Sequence, residues 1–248
     1  MLKFVQFIAI CNLTIIGRTD SGKTTLLNAL DLIYPENFRK IYVEDVVETV
    51  NQDPSIHHQL KFQSNDKDLK PRIIKNLLHR TPDVLILGEI LTKEETDALF
   101  HCLSVGLKGM QTIHANSCES LLTRLRIHFN IDPICLKDLD FIVYLKKIES
   151  GNRRLIEFSE VNIGENHQES TVLIKYSPKT DTWNTFDIEK SNIIKKFLNN
   201  SKMDKEQLRE YLMKLEKVLK NAVKNSKYKR EELIRHLNQV YIDHADYF

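Results

Sequence analysis

The chain has 248 residues, of which 42% are hydrophobic and 28% are charged, and its formal net charge at pH 7 is +2. This composition is typical of a globular protein and excludes collagen-like and wholly disordered chains, while the near-neutral charge argues against a protein that coats nucleic acid with its whole surface. The four cysteines include no C-x-x-C pair, so neither a metal knuckle nor a disulfide framework is expected. The apolar stretch at residues 4–16 is too short for a membrane span.

The first predicted element is a buried strand at residues 11–16, where an apolar, partly β-branched run stops at Gly17. Helical spacing of apolar residues follows over residues 24–33. Two further apolar runs, residues 41–43 and 84–87, are continuous and do not alternate with polar residues, so they predict central strands of a parallel sheet. Strand, loop and helix therefore follow one another at the start of the chain.

Helices and strands continue to alternate in the middle of the chain. Apolar residues at helical spacing predict helices at residues 68–80, 94–105 and 118–129, and a strand at residues 110–113 lies between the last two. This alternation indicates an α/β sheet, which binds its ligand at the carboxyl ends of its strands.

The pattern changes after about residue 150. Residues 153–163, 171–176 and 182–188 predict antiparallel strands joined by polar turns, and the chain is predicted to be helical from residue 190 onward. Residues 190–248 are basic, with 14 Lys and Arg against 8 Asp and Glu. This charge most simply marks solvated helix faces, and contact with an anionic membrane surface or an acidic partner is the other interpretation.

Residues 17–24 (GRTDSGKT) match the phosphate-loop pattern G-x-x-x-x-G-K-[ST] and lie between a predicted strand and a predicted helix, as that loop requires. In such a loop backbone N–H groups and the helix N-terminus face the phosphates, Lys23 reaches the β and γ oxygens, and Thr24 coordinates Mg²⁺. The alternative, a glycine-containing turn before an ordinary helix, requires a chance match at four fixed positions. We therefore predict ATP and Mg²⁺ as ligands. The predicted nucleotide-binding residues are Gly17, Arg18, Thr19, Asp20, Ser21, Gly22, Lys23, Thr24 and Thr25.

A phosphate loop needs a carboxylate that orients the metal and the attacking water, normally at the end of a neighbouring strand. Glu89 follows the predicted strand at residues 84–87 and is placed for that role. A glutamate after a strand is, taken alone, most often a solvated loop residue. Its assignment therefore depends on the phosphate loop upstream, and Thr24 and Glu89 are the predicted metal-binding residues.

Four sequence blocks follow one another in an order that resembles a known family. They are residues 17–25 (GRTDSGKTT), similar to a Walker A loop; residues 44–48 (EDVVE), similar to an acidic box of E-D-x-x-E form; residues 82–83 with 87–90 (PD and LGEI), similar to a Walker B strand; and residues 111–117 (QTIHANS), similar to a histidine box. Together they resemble the secretion, pilus and archaellum assembly ATPases of type II and type IV systems. The resemblance runs from about residue 11 to 147, and the later segment is most similar to the archaeal branch.

The resemblance implies a RecA-like P-loop fold with a mainly parallel sheet for residues 1–150, followed by a small antiparallel β segment and C-terminal helices at residues 151–248. It also implies that Glu89 polarises the attacking water, that Glu44 assists catalysis, and that His114 contacts or senses the γ-phosphate region. Two alternatives stay open: Glu44 as a solvated loop acid, and His114 as a strand-end histidine with satisfied hydrogen bonds.

At the level of function, the resemblance implies an ATP-hydrolysing motor subunit in a homo-oligomeric ring, most simply a hexamer. Its expected place is the cytoplasmic side of a membrane, peripheral to an inner-membrane platform protein, with no direct contact to nucleic acid. Two other functions stay open. One is a degenerate nucleotide-binding subunit that does not hydrolyse ATP, and the other is a P-loop motor on nucleic acid, which no stripe of aromatic and basic residues supports.

Two residues of the phosphate loop depart from the family pattern. Arg18 stands where the family usually has Pro, and Asp20 stands where it usually has Gly. Asp20 brings a carboxylate close to a polyanionic ligand, so a weaker nucleotide affinity is expected.

Arginines that are common in the family are also missing. Leu91, His79 and Thr81 occupy their positions, and an arginine beside the transferring phosphoryl group can be worth about 10³-fold or more in rate. Only 16 residues precede Gly17, so the N-terminal lid domain of the family is expected to be absent. We therefore predict slow ATP hydrolysis by the chain alone. The candidate substitutes for the missing arginines are Arg39, Arg80 and Arg124.

Overall fold

The computed structural model describes residues 11–51, 58–162, 170–185, 191–225 and 229–244. Its strands are β1 (Leu13–Gly17), β2 (Arg39–Glu44), β3 (His58–Gln63), β4 (Val84–Ile90), β5 (Lys108–Ile113), β6 (Phe141–Lys147), β7 (Arg153–Val161), β8 (Ser170–Ser177) and β9 (Thr182–Thr185). Its α-helices are α1 (Lys23–Asp31), α2 (Leu69–Asn76), α3 (Lys93–Ser104), α4 (Cys118–Thr123), α5 (Asn192–Asn200), α6 (Lys205–Lys224) and α7 (Arg230–Ile242).

The described strands form one sheet in the order β3-β2-β4-β5-β1-β6-β7-β8-β9. The first six strands in this order, β3-β2-β4-β5-β1-β6, are parallel to their neighbours. Strands β6, β7, β8 and β9 are antiparallel to one another in turn. This arrangement confirms the predicted fold class, a mainly parallel α/β sheet that continues into an antiparallel segment and C-terminal helices. Strand β3 was not predicted, because it lies at the sheet edge, half exposed, and has no continuous apolar run.

Helices cover both faces of the sheet. Leu27 of α1, Ile194 of α5, Leu208 of α6 and Leu237 of α7 share one core cluster with β1. Residues of α2, α3 and α4 form the core of the opposite face. The central strands are therefore buried on both sides, which explains why they appear in the sequence as continuous apolar runs.

The antiparallel strands extend the parallel sheet without a break. Phe141 of β6 pairs with Leu13 of β1 on one side and with Glu160 of β7 on the other. Leu155 and Phe158 of β7 lie in the same core cluster as β1. The predicted division near residue 150 falls in the turn between two paired strands, and the domain organisation stays a prediction.

Most predicted elements are confirmed within a few residues, and the differences lie at their ends. The α-helical part of residues 68–80 ends at Asn76 and continues as a 3₁₀ turn, and residues 124–128 form a π-helical turn after α4. Strand β4 runs three residues beyond its predicted end, with irregular pairing between Leu87 and Ile90. Residues 163 and 186–188, the ends of two predicted strands, lie outside the described residues. Among the described helices, none combines the length and apolar character of a membrane crossing.

Candidate active site

The predicted site residues meet at the carboxyl ends of four neighbouring parallel strands. Strands β2, β4, β5 and β1 lie side by side, and parallel strands present their carboxyl ends at one edge of the sheet. A cavity of about 270 Å³ lies at this edge. Its lining includes Thr19, Asp20, Lys23, Thr24, Glu44, Glu48, Glu89, Thr112 and His114.

The loop between β1 and α1 has a backbone form that depends on glycine. Gly22 has a φ of 94° and immediately precedes α1. A Cβ atom at Gly17 would collide with the Ser21 side chain and with the backbone oxygen of Leu145. The Ser21 hydroxyl is buried, and no atom of the described chain bonds to it. Since buried polar atoms nearly always have a hydrogen-bond partner, this hydroxyl without one is consistent with a loop that binds a polar ligand.

Lys23, the first residue of α1, folds back over the same loop. Its Nζ donates to the carbonyl oxygens of Gly17 at 3.2 Å and Arg18 at 3.3 Å. Partial burial lowers the pKa of Lys23, and the nearby carboxylates Glu89 and Glu48 oppose this effect. A partly desolvated ammonium at a helix N-terminus is an arrangement that binds phosphate.

Glu44, at the end of β2, orders the loop that follows it. One carboxylate oxygen accepts hydrogen bonds from the backbone N–H groups of Glu48 at 3.0 Å and Thr49 at 2.9 Å, and the other accepts from the Thr49 hydroxyl at 2.6 Å. Glu44 is 1% exposed, so it is not a solvated loop acid. Its role in catalysis stays a prediction.

Glu48 was missed as a metal-binding candidate. The Thr24 hydroxyl donates to its carboxylate at 2.7 Å, so the predicted metal ligand Thr24 faces an acidic oxygen of the loop after β2. Hydroxyl and carboxylate oxygens are hard donors that suit Mg²⁺, which in nucleotide sites needs only one or two protein ligands beside the phosphates. The donor set therefore fits Mg²⁺. The sequence did contain the signal, because Glu48 is the last acid of the E-D-x-x-E box.

Glu89 and His114 form a pair at the mouth of the cavity. His114 Nε2 lies 2.8 Å from a Glu89 carboxylate oxygen, and His114 Nδ1 lies 3.5 Å from Lys23 Nζ. Because an ammonium only donates, His114 Nδ1 is the acceptor in its contact with Lys23. The two ring nitrogens of His114 thus lie beside Lys23, which is predicted to bind the phosphates, and Glu89, which is predicted to polarise the attacking water.

Asp20 is neutralised by two cations that sequence reasoning missed. Lys147 Nζ lies 2.7 Å from its carboxylate, Arg153 Nη2 is bonded to the other oxygen, and Arg153 Nε donates to the Asp20 backbone oxygen at 3.0 Å. Hydrogen bonds from Lys147 and Arg153 lower the pKa of Asp20 to about 2. The Asp20 carboxylate does line the cavity, and the two cations offset its charge; the weaker nucleotide affinity stays a prediction. The basic residues on both sides of the β6–β7 turn were the available signal.

Arg124 lies beside the site. Its Nη1 donates to the backbone oxygen of His114 at 2.8 Å, and its guanidinium lies 4.8 Å from the ring centroid of Phe129. The guanidinium thus holds the segment after β5 that carries His114.

Arg39 and Arg80 lie at the other edge of the sheet. Arg39 begins β2, the strand that ends at Glu44. Its guanidinium donates to the Arg80 backbone oxygen at 2.9 Å and to the Thr81 hydroxyl at 2.8 Å, just before β4. Neither arginine completes the cavity of its own chain.

The remaining loop residues are exposed. Thr19 lines the main cavity, and Arg18 lines a smaller neighbouring cavity of about 200 Å³ together with His114 and Asn116. Thr25 lies on the exposed side of α1. The loop is therefore open to solvent on the side where Arg18 replaces the usual proline.

Comparison with known proteins agrees with these blocks. The family model described as Type II/IV secretion system protein matches residues 3–152. The chain is 27% identical over 180 residues to the uncharacterized protein MJ1287 of Methanocaldococcus jannaschii, which covers 68% of this chain and 61% of that protein. It is 31% identical over 125 residues to the type IV secretion system protein PtlH of Bordetella pertussis, covering 48% of this chain and 37% of PtlH. The chain thus spans less than two thirds of the length of either relative.

Among solved structures, the VirB11 ATPase from the Brucella suis type IV secretion system, in complex with sulphate, superposes with a TM-score of 0.55. The sequence identity is 22%, and the superposition covers 64% of this chain and 50% of that chain. This likeness supports the RecA-like fold.

Proposed function

The chain belongs to the type II/IV secretion system protein family, and from this we propose that it is an ATP-binding and ATP-hydrolysing motor subunit of a secretion, type IV pilus or archaellum assembly machine. One observation carries the proposal. Lys23, the Thr24–Glu48 pair and the Glu89–His114 pair come from different segments of the chain and face one cavity beside a phosphate loop.

In this proposal the loop between β1 and α1 binds the phosphates. Its backbone N–H groups, the Lys23 ammonium and the Ser21 hydroxyl supply the donors, and the α1 N-terminus adds the positive end of its dipole. Thr24 and Glu48 are the residues that would hold Mg²⁺, and Glu89, the other predicted metal-binding residue, lines the same cavity. When bound, Mg²⁺ offsets negative charge on the phosphate oxygens.

Glu89 is the proposed catalytic carboxylate. His114 Nε2 lies 2.8 Å from one of its oxygens, and in this proposal that contact orients the carboxylate and leaves the second oxygen to accept a hydrogen bond from the attacking water. Lys23 contacts the other nitrogen of the same ring, so the group that binds the γ-phosphate and the group that orients the water are linked through His114. Such a link brings the two into position together.

The wider setting of the motor is part of the proposal. We infer a homo-oligomeric ring, most simply a hexamer, that acts at the cytoplasmic side of a membrane on an inner-membrane platform protein. Arg124 is the candidate arginine for the site of its own chain, because it holds the backbone of His114. Family membership supports this setting.

The proposed function is tested by nucleotide binding and turnover of the purified chain with and without Mg²⁺. Lys23→Ala should lower ATP affinity about 100-fold, because hydrogen bonds to a charged group contribute about 1.5–3 kcal/mol. Lys108→Ala is the matched control, since Lys108 begins β5 at the opposite edge and pairs with Asp140. Equal ATP affinity in wild type and Lys23→Ala, measured by calorimetry, would contradict the assignment. ATP binding without any phosphate release would identify the non-hydrolysing subunit instead.

A further inference from the structure

We propose that Lys70 is a positioning residue that holds the acidic loop after β2 and the Glu89 end of β4 in the arrangement ATP hydrolysis needs. No sequence motif singles out this residue. The proposal deepens the proposed function and rests on it.

The Lys70 side chain is buried and contacts three different segments. Its Nζ lies 2.8 Å from an Asp45 carboxylate oxygen, 2.6 Å from the backbone oxygen of Glu89 and 3.4 Å from a Glu95 carboxylate oxygen. The side chain of Lys70 is 1% exposed and that of Glu95 is 3% exposed. An ammonium has three donors, and here three oxygen atoms lie within 3.4 Å of Nζ.

Two of these contacts reach the segments that carry the site carboxylates. Asp45 directly follows Glu44, whose carboxylate accepts from the backbone N–H group of Glu48, and Glu48 accepts from the Thr24 hydroxyl. The other contact is to the backbone of Glu89 itself. One buried ammonium therefore joins the loop that faces the metal ligand to the strand end that carries the catalytic carboxylate.

The third contact of Lys70, with Glu95, reaches the residue that follows β4. The same Glu95 oxygen that pairs with Lys70 accepts the backbone N–H group of Leu91 at 2.8 Å. Residues on both sides of the β4 end, Glu89 and Leu91, are thus fixed by one ion pair between α2 and α3. The pairing of β4 with β5 is irregular between Leu87 and Ile90. The contacts of Lys70 and Glu95 therefore hold the β4 backbone where its hydrogen bonds to β5 are irregular.

Burial of a charge pair is weak evidence of stabilisation, because apolar replacements of such pairs are often neutral or stabilising. The position of the charge is the informative feature. Lys40 offers the comparison within the same chain: it is equally buried and pairs with Asp31 at 3.1 Å, but Asp31 ends α1, at the other end of that helix from the phosphate loop. A purely structural role would make the two lysines equivalent.

The experiment compares Lys70→Met with Lys40→Met in the full chain. Both substitutions keep an unbranched side chain, one heavy atom shorter than lysine, and remove a buried ammonium. Steady-state turnover, ATP affinity and resistance to urea are measured on one preparation of each variant. Lys70→Met should lower kcat about 10- to 100-fold, since small misplacements of reacting groups have effects of this size, with ATP affinity within about threefold. Lys70→Arg should recover part of kcat, and Lys40→Met should keep kcat within about twofold at a similar loss of stability.

Equal losses of kcat in Lys70→Met and Lys40→Met would overturn the proposal. If Lys70→Met fails to fold, Asp45→Asn is the milder variant, because Asp45 is partly exposed and Lys70 keeps Glu95 as a partner. It should lower kcat about threefold with unchanged ATP affinity, since one of three contacts is weakened. An unchanged kcat in Asp45→Asn would count against the proposal.

Amide hydrogen exchange separates failure of this inference from failure of the proposed function. Without nucleotide, residues 44–50 and 88–91 should exchange about tenfold faster in Lys70→Met than in Lys40→Met, because only the first variant frees both segments. Faster exchange in Lys70→Met supports the positioning role even if the wild type does not hydrolyse ATP. Absence of hydrolysis in the wild type would contradict only the proposed function. Equal exchange in the two variants overturns the role of Lys70 whatever the activity.

Discussion

The two edges of the parallel sheet carry similar polar residues, but they use them differently. At the amino edge, where the parallel strands begin, the polar groups pair with one another. The backbone N–H group of Asn12 donates to Asp140 at 2.7 Å, Asp140 also pairs with Lys108, and the backbone N–H group of Arg39 donates to Asp83 at 2.7 Å. These contacts cap strand ends and loops, and they fix the fold.

At the carboxyl edge the polar groups contact one another around a cavity instead of closing it. Glu89 and His114 remain about a third exposed although they are paired, Lys23 contacts His114 from α1, and the Ser21 hydroxyl has no partner in the described chain. Residue type alone does not separate the two edges. The carboxyl edge differs because the N-terminus of α1 and four strand ends converge there, which leaves donors and acceptors lining a cavity.

The strongest test of this contrast is Glu89→Gln. We expect turnover to fall about 10³-fold while ATP binding persists, because the amide keeps the shape of the side chain and loses the negative charge that orients water. Glu94→Gln, an exposed glutamate on α3, is the matched control and should leave both quantities unchanged. Phosphate release and nucleotide affinity are measured together. A variant that loses affinity and keeps its rate per bound ATP would show that Glu89 serves binding.

At the amino edge, Asn12→Ala should change stability and leave the nucleotide site unaffected. The Asn12 side chain accepts from the Gly109 N–H group at 3.0 Å and donates to the Asp138 backbone oxygen at 2.8 Å. Its removal leaves one buried and one partly buried backbone group without this partner, which should lower the free energy of unfolding by about 2–4 kcal/mol. Urea unfolding measures this loss. A large change in ATP affinity, measured without urea on the folded variant, would contradict the claim that the amino edge serves stability and not the nucleotide site.

Glu48→Gln should sharpen the contrast by changing the response to Mg²⁺. The neutral amide still meets the Thr24 hydroxyl, but a charged oxygen donor is lost. We expect the Mg²⁺ concentration for half-maximal turnover to rise about tenfold. Glu36→Gln, a glutamate that lies beyond the far end of α1, should have no such effect. An unchanged Mg²⁺ dependence in Glu48→Gln would remove Glu48 from the metal site.

The smallest expected effect is the contribution of Asp20 to the stability of the folded chain at low pH. Its pKa is lowered from 3.8 to about 2 by Lys147 and Arg153, so its contacts stabilise the folded chain fully above pH 4 and are lost as the pH falls from about 4 to 2. The effect should be modest, because all three side chains are half exposed and solvent screens them. Unfolding of wild type and Asp20→Asn is compared between pH 2 and 6. A stability difference that grows towards low pH would contradict the assignment.

Local patterns were sufficient for the core of this protein. The phosphate loop was predicted from eight consecutive residues, because its chemistry depends on glycines, a lysine and a threonine at fixed spacing between a strand and a helix. Continuous apolar runs predicted β1, β2 and β4, since those strands are buried on both faces. Strand β3 was missed, because a half-exposed edge strand leaves no apolar run for a sequence pattern to detect.

The tertiary structure decided which distant residues meet. Lys147 and Arg153 lie 127 and 133 residues from Asp20 in sequence, and they reach it because β6 is hydrogen-bonded to β1 and β7 to β6. Lys70 reaches Glu89 for a similar reason, since the β4 end lies beside the segment that begins α2. Sequence patterns report local backbone preference and burial, whereas the order and register of strands determine contacts across the sheet. The sequence therefore determined the phosphate-loop pattern between a strand and a helix, whereas the fold decided that Lys147, Arg153 and Lys70 contact residues around it.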